Sequence, residues 1–216
     1  MYTVTDKKLC EVYPGFSENK EKYKKRIEAV TDGYKKVFGN EEARIFTAPG
    51  RTEIGGNHTD HQHGCVLAAA VDLDILAAVA ENGTNKIRVL SDGYDMLEID
   101  LSDLKPMEEE KNTSAALIRG IAAKLAEMGY KINGFNAYMI SNVLKGSGLS
   151  SSAAFEVIIG TVMNGLFCDK ELSAVKIAQI GQYAENVYFG KPSGLMDQTA
   201  SSVGGVVAIV GGGALL

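Results

Sequence analysis

A mixed α+β fold is what the order of hydrophobic patterns predicts. Strand-like apolar runs cluster in the first half of the chain, helical periodicities fill most of the second, and short glycine-rich turns separate them. With 216 residues, 45% of them hydrophobic and 23% charged, the chain is long enough to bury a substantial core. Neither an internal repeat nor a low-complexity linker divides it, so residues 1–216 read as one domain.

The elements follow in order. From Ser17 to Phe38 the residues Tyr23, Ile27, Val30, Tyr34 and Val37 recur at helical spacing, and Ser17 is placed to cap that helix. The segment "ARIFTAPGR" reads as a short strand ending in a Pro-Gly break. Beyond the histidine-rich "GGNHTDHQHG" come the strand-like runs "CVLAAAV", "DILAAVAE", "KIRVLS" and "MLEIDL", the last two joined by "DGYD" as a hairpin turn. "TSAALIRGIAAKLAEMG" sets Leu117, Ile118, Ile121, Leu125 and Met128 on one helical face, with Gly129 as the stop. "GFNAYMISNV" alternates as a strand. Two further helices are expected in "SAAFEVIIGTVMNGLF" and "ELSAVKIAQIGQYAENVYF". "LMDQTASSVGG" and the apolar strand "VVAIV" close the chain. The last residues, "VVAIVGGGALL", stop within sheet-like sequence, as expected of a piece of a longer protein.

Bulk properties narrow the function. The net charge is −5, and the lysines of "ENKEKYKKR" alternate with acids, as on a solvated helix face and unlike a nucleic-acid arm. The amino terminus lacks the layout of a signal peptide, and the longest apolar run is interrupted by Asp72 and Asp74, so no membrane span is expected. Cys10, Cys65 and Cys168 are odd in number and widely spaced, which favours a reduced, cytoplasmic setting.

Three turns carry chemistry. In the first, "APGRTEIGGNHTDHQHG", Arg51 follows a strand and could hold an anion or stabilise developing negative charge. Asn57, His58, Thr59 and Asp60 offer the mixed donors and acceptors that orient a polyol. Metal binding through His61, His63 and Cys65 is the weaker account, because no HExxH or paired Cys/His spacing occurs. The second, "KGSGLSSSAAFEV", lies between a strand and a helix. Gly146 and Gly148 let a ligand approach the backbone, and a helix start with three serines favours phosphate. It is neither a Walker motif nor a GxSxG elbow. In the third, "AENVYFGKPSGLMDQTAS", Glu185 and Asp197 suit phosphoryl transfer, in which one acid holds metal and the other orients the attacking hydroxyl. The bland alternative makes Arg51 a loop residue paired with an acid, one serine a helix cap, Glu185 a surface helix residue and Asp197 a helix cap. It explains each turn singly but not the three together.

These segments resemble a known family. "APGRTEIGGNHTDHQHGCVLAAA" is similar to the galactokinase signature GRxNxIGEHxDYxxGxVL. "KGSGLSSSAAFEV" resembles the phosphate-binding motif of the wider GHMP small-molecule kinases, and "GLMDQTAS" the segment with the galactokinase catalytic aspartate. The resemblance implies the GHMP-kinase amino-terminal fold, of the ribosomal protein S5 domain 2-like type. It implies transfer of the ATP γ-phosphate to the anomeric hydroxyl of galactose, with Asp197 and Arg51 catalytic. Asn57, His58, Thr59, Asp60 and Gly194 would bind the sugar. The turn Gly146, Ser147, Gly148, Leu149, Ser150, Ser151 and Ser152 would wrap the ATP phosphates, with Ser152 and Glu185 on Mg²⁺. A carboxyl-terminal kinase domain is expected to complete the cleft.

Several positions depart from the family pattern. Asn57 replaces a glutamate, Glu53 an asparagine, His61 a tyrosine and Ser147 a glycine, so the identity of the sugar is more at issue than the reaction. Two alternatives stand beside galactose phosphorylation: a GHMP kinase for another sugar such as N-acetylgalactosamine, and a non-catalytic sugar and ATP sensor.

Overall fold

The computed structural model describes residues 4–39, 42–57, 59, 64–210 and 213–215. Its frame is a seven-stranded sheet organised around one long strand. Strands β1 (Arg44–Gly55) and β2 (Cys65–Glu81) pair antiparallel over most of their lengths. The hairpin strands β3 (Lys86–Ser91) and β4 (Leu97–Asp100) follow, and β3 runs parallel to β5 (Phe135–Ser141). The second edge of β2 is divided. Residues 75–81 pair with β5, and residues 65–69 pair with β6 (Val206–Val210). The short β7 (Gly213–Leu215) adds to β6.

Helices cover both faces. On one lie α1 (Asp6–Val12) and α2 (Lys20–Phe38), the latter packing Val30 and Tyr34 against Leu76, Ala78 and Ala80. On the other lie α3 (Ser114–Glu127), α4 (Ser151–Phe167), α5 (Ala174–Tyr183) and α6 (Met196–Val203). The main core forms there, where Ile75, Ala77 and Val79 of β2 meet Ile118, Ile121, Ile158 and Val162. With both faces buried, this half of β2 is a near-continuous apolar run. The mixed α+β architecture expected from the pattern order is the one observed.

Some elements differ from the sequence expectation. "CVLAAAV" and "DILAAVAE" are one strand of 17 residues, because the acids between them are satisfied from outside the sheet. Asp74 accepts from Tyr13 Oη at 2.6 Å and pairs with Arg26 at 2.5 Å, while Asp72 accepts from Tyr23 Oη. A buried carboxylate is tolerated in a strand when it is paired and hydrogen-bonded in this way. The first strand runs past Pro49-Gly50, with a register shift between Pro49 and Arg51. β1 pairs with β2 alone among the described strands, so a proline and a bulge cost it no second ladder. That irregularity sets three residues of β2 (Val71, Asp72 and Leu73) opposite one of β1 and switches which residues of β2 face the helices: Val66 and Ala68 below it, Ile75 and Ala77 above. Asn19, not Ser17, stands at the start of α2. The α1 helix, capped by Thr5, was not anticipated. The final helical stretch leaves α-geometry after Tyr183 and continues as a π-helical turn, Ala184–Phe189.

Gly33 fixes how closely α2 approaches the sheet, since a Cβ there would lie 2.1 Å from Cε1 of Tyr138 on β5. Replacing a mid-helix glycine with alanine ordinarily stabilises a helix by about 1 kcal/mol. Here Gly33→Ala is expected to destabilise the protein by about 1–3 kcal/mol through overpacking, read as a lower urea midpoint with unchanged slope. A raised midpoint would show that the α2–β5 contact yields freely.

Candidate active site

The bulge at Gly50 turns Arg51 inward. A Cβ at Gly50 would lie 2.9 Å from the Leu149 carbonyl oxygen, so the strand passes the glycine-serine turn at backbone contact distance. The Arg51 amide donates to that same carbonyl at 3.1 Å. The Arg51 guanidinium, 8% exposed as a residue, makes two parallel bonds to Asp197: Nε to Oδ1 at 2.7 Å and Nη2 to Oδ2 at 2.8 Å. Its Nη1 donates to the Gly148 carbonyl at 2.7 Å. One side chain therefore ties the first strand to the second and third chemical turns. This fork geometry is the strong form of a charge-assisted pair.

The glycine-serine turn is shaped for backbone exposure. Gly146 and Gly148 have φ of 80° and 77°, with open space where side chains would stand. Ser150 takes the left-handed conformation at φ 52°, unusual for a residue with a Cβ. It occupies the helix-cap position of α4 but makes no side-chain cap; its hydroxyl donates to Asp197 Oδ2 instead. Ser147 Oγ donates to the Leu144 carbonyl at 2.6 Å. Ser151 and Ser152 line a cavity of about 590 Å³ whose walls include Tyr94, Asn112, Phe155 and Phe189. A larger cavity of about 820 Å³, between α1 and the start of β1, includes none of the expected site residues.

Asp197 lies in the first turn of α6, and its neighbour Gln198 reaches back into the core. Gln198 Nε2 donates to Glu185 Oε2 and to Glu156 Oε2, both at 2.9 Å. Glu185 projects from the π-helical turn and is 3% exposed; its Oε1 accepts from Lys191 Nζ at 3.0 Å. Glu156, on α4, is wholly buried. Burial above all, then the negative charge of Glu185, pushes its carboxyl well above the ordinary range.

Arg51, Asp197, Gly148, Leu149 and Ser150 are thus brought together, with Glu185 joined through Gln198. Thr59 Oγ1 donates to the Gly56 carbonyl at 2.8 Å, and Asn57 is exposed with φ 54°. Gly194 lies in the half-buried link leading to α6. His58, Asp60, His61 and His63 lie outside the described residues. Sequence reasoning missed Glu156, Gln198 and Lys191. An acid inside the apolar run "AAFEVIIG" was the available signal for Glu156; nothing local marked the other two.

A folded-state pKa above the unfolded value makes the native protein hold a proton that the unfolded chain releases, so the stability Glu156 provides falls as pH rises. Glu156→Gln should flatten the decline in melting temperature from about pH 4.5, the ordinary carboxyl value, upward. A variant with the same pH slope as the parent would show that Glu156 is not the group responsible.

The chain is similar to known proteins in both sequence and fold. A galactokinase galactose-binding signature matches residues 32–81, and a GHMP kinases N terminal domain matches residues 116–205. A curated galactokinase of Lacticaseibacillus casei is 35% identical over 81% of this chain and 45% of its own length; one of Streptomyces coelicolor is 36% identical over 80% and 44%. The chain therefore spans about half the length of the curated relatives it matches. The crystal structure of Lactococcus lactis galactokinase complexed with galactose superposes with a TM-score of 0.78 at 28% identity, over 84% of this chain and 48% of that one. Methanococcus jannaschii mevalonate kinase, at 20% identity and a TM-score of 0.68 over 82% of this chain and 56% of its own, shares the fold. All three chemical segments fall within these matched spans, and over about four-fifths of its length the chain is similar to galactokinases, within the fold of the wider GHMP kinases.

Proposed function

We propose that this chain supplies the sugar- and nucleotide-binding half of an ATP-dependent sugar 1-kinase, which moves the γ-phosphoryl group of ATP onto the anomeric hydroxyl of galactose. The observation that carries this reading is the bidentate Arg51–Asp197 pair, tied by Arg51 and Ser150 to the glycine-serine turn. It sets a carboxylate, a cation and a glycine-rich backbone turn within one hydrogen-bonded unit, as in-line phosphoryl transfer requires.

In this reading the sugar is held by Asn57, His58, Thr59, Asp60 and Gly194. Asp197 accepts the hydrogen bond of the anomeric hydroxyl and takes its proton as the new O–P bond forms and the β–γ bridge breaks. Arg51 fixes the carboxylate and compensates negative charge beside the reacting atoms. Amides of residues 146–152 and the start of α4 cradle the phosphates, and the adjoining apolar cavity is the right size for a nucleoside.

The donor set suits a hard divalent cation. Glu185 offers a carboxylate and Ser152 a hydroxyl, and no three His, Cys, Asp or Glu side chains converge among the described residues, so phosphate oxygens would complete the shell. Mg²⁺ held there would neutralise triphosphate charge. No helix among the described residues is long and apolar enough to cross a membrane, and Cys10, Cys65 and Cys168 are free thiols; a cytoplasmic setting fits.

Asn57 in place of the family glutamate supports testing N-acetylgalactosamine beside galactose, by a sugar panel with coupled ADP detection. A sensor without catalysis is eliminated by any ATP-dependent phosphorylation. Turnover is expected to be weak or absent in the 216-residue chain, and to appear when a carboxyl-terminal kinase domain completes the cleft. In that longer form Asp197→Asn should leave ATP affinity within about twofold and lower turnover by about 10³-fold. Turnover retained within tenfold would remove Asp197 from its role.

A further inference from the structure

Glu185 is the metal-facing acid of the kinase reading, yet its carboxylate is fully engaged. Gln198 holds Oε2 at 2.9 Å and Lys191 holds Oε1 at 3.0 Å. These two partners differ in kind. Gln198 is 1% exposed and anchored to Glu156, whereas the Lys191 side chain is 59% exposed against 4% for that of Glu185. Lys191 is brought there by backbone: the amides of Gly190 and Lys191 both donate to the Glu185 carbonyl, folding the chain back over the end of the π-helical turn. The ammonium consequently covers the accessible side of an otherwise buried carboxylate.

We propose that Lys191 is a resident counter-ion for Glu185 that a divalent cation, arriving with a nucleoside triphosphate, displaces. The proposal rests on the sugar-kinase reading. A carboxylate this buried is costly without compensation. Arg51 is committed to Asp197, so Lys191 is the cation bonded to Glu185. A divalent ion on the same carboxylate would sit beside the ammonium at contact distance, and the two repel. The weaker and more solvated of them leaves. Lys191 is suited to that: its stem is flexible, its head is strongly hydrated, and a largely exposed ion pair is readily given up. The result is a site that is charge-compensated when empty and holds its cation only as tightly as the nucleotide allows.

The test titrates Mn²⁺ into the 216-residue chain with saturating β,γ-imido ATP, followed by electron paramagnetic resonance of the free ion. Lys191→Met is expected to tighten Mn²⁺ binding by about three- to tenfold, the worth of about one partly exposed ion pair. Lys191→Arg keeps the competing charge and stays near the parent. Lys170→Met, an exposed lysine outside the site, controls for net charge and should shift affinity less than twofold. Glu185→Gln should weaken Mn²⁺ binding at least tenfold. Without ligand Lys191→Met should melt below the parent, and it should gain more than the parent on adding Mn²⁺ and nucleotide. Unchanged or weaker Mn²⁺ binding by Lys191→Met overturns the counter-ion role, as does Mn²⁺ affinity indifferent to Glu185→Gln. A parent chain that binds no Mn²⁺ with the nucleotide overturns the kinase reading itself, and the proposal with it.

Discussion

The buried pair between Arg51 and Asp197 is the constraint on which the site depends. Its partners are 146 residues apart in sequence, so nothing local holds them together. Two charges removed from water are stable only when geometry and extra hydrogen bonds offset desolvation. Both conditions are met by the parallel fork and by the bonds to Gly148 and from Ser150. The pair therefore acts on structure and chemistry alike: it pins the bulge of β1, the glycine-serine turn and the first turn of α6 to one another. A left-handed serine at 150, strained in isolation, is held in place by that mutual bonding.

Behind the pair lies a graded set of carboxyls. Asp197 is paired with Arg51 and Glu185 with Lys191, while burial holds the Glu156 carboxyl well above the ordinary range. Gln198 links the last two, so both carboxyls accept from one amide nitrogen. Each of the three acids is accommodated in a different way: by a buried fork, by an exposed ammonium, and by burial that disfavours the charged form. Only the second has a largely exposed partner.

The sequence made the framework legible where pattern and burial coincide. Helical spacing in α3 and alternation in β5 are visible because each element has defined buried positions, such as Ile118 and Ile121 or Phe135, Ala137 and Met139. The unity of β2 was not legible, since Asp72 and Asp74 break an apolar run unless Tyr13, just past α1, and Tyr23 and Arg26 of α2 are known to meet them. Arg51, Asp197 and the turn between them were legible because turn chemistry and family resemblance coincide on them. Glu156, Gln198 and Lys191 were not, for their significance lies in contacts between segments that no local rule connects.

One strand also sets an order of assembly. β2 lends its edge to two segments, one beginning at Phe135 and the other at Val206. Its amino-terminal half waits for the later one, which closes a loop of well over a hundred residues. Such closures are slow, and until β6 arrives Val66 and Ala68 lack the Val207 and Ile209 that cover them. During synthesis on the ribosome an open, apolar strand edge would persist until almost the whole described chain has emerged. Chaperone dependence, more than catalytic chemistry, is then where mutations in β6 should first be felt.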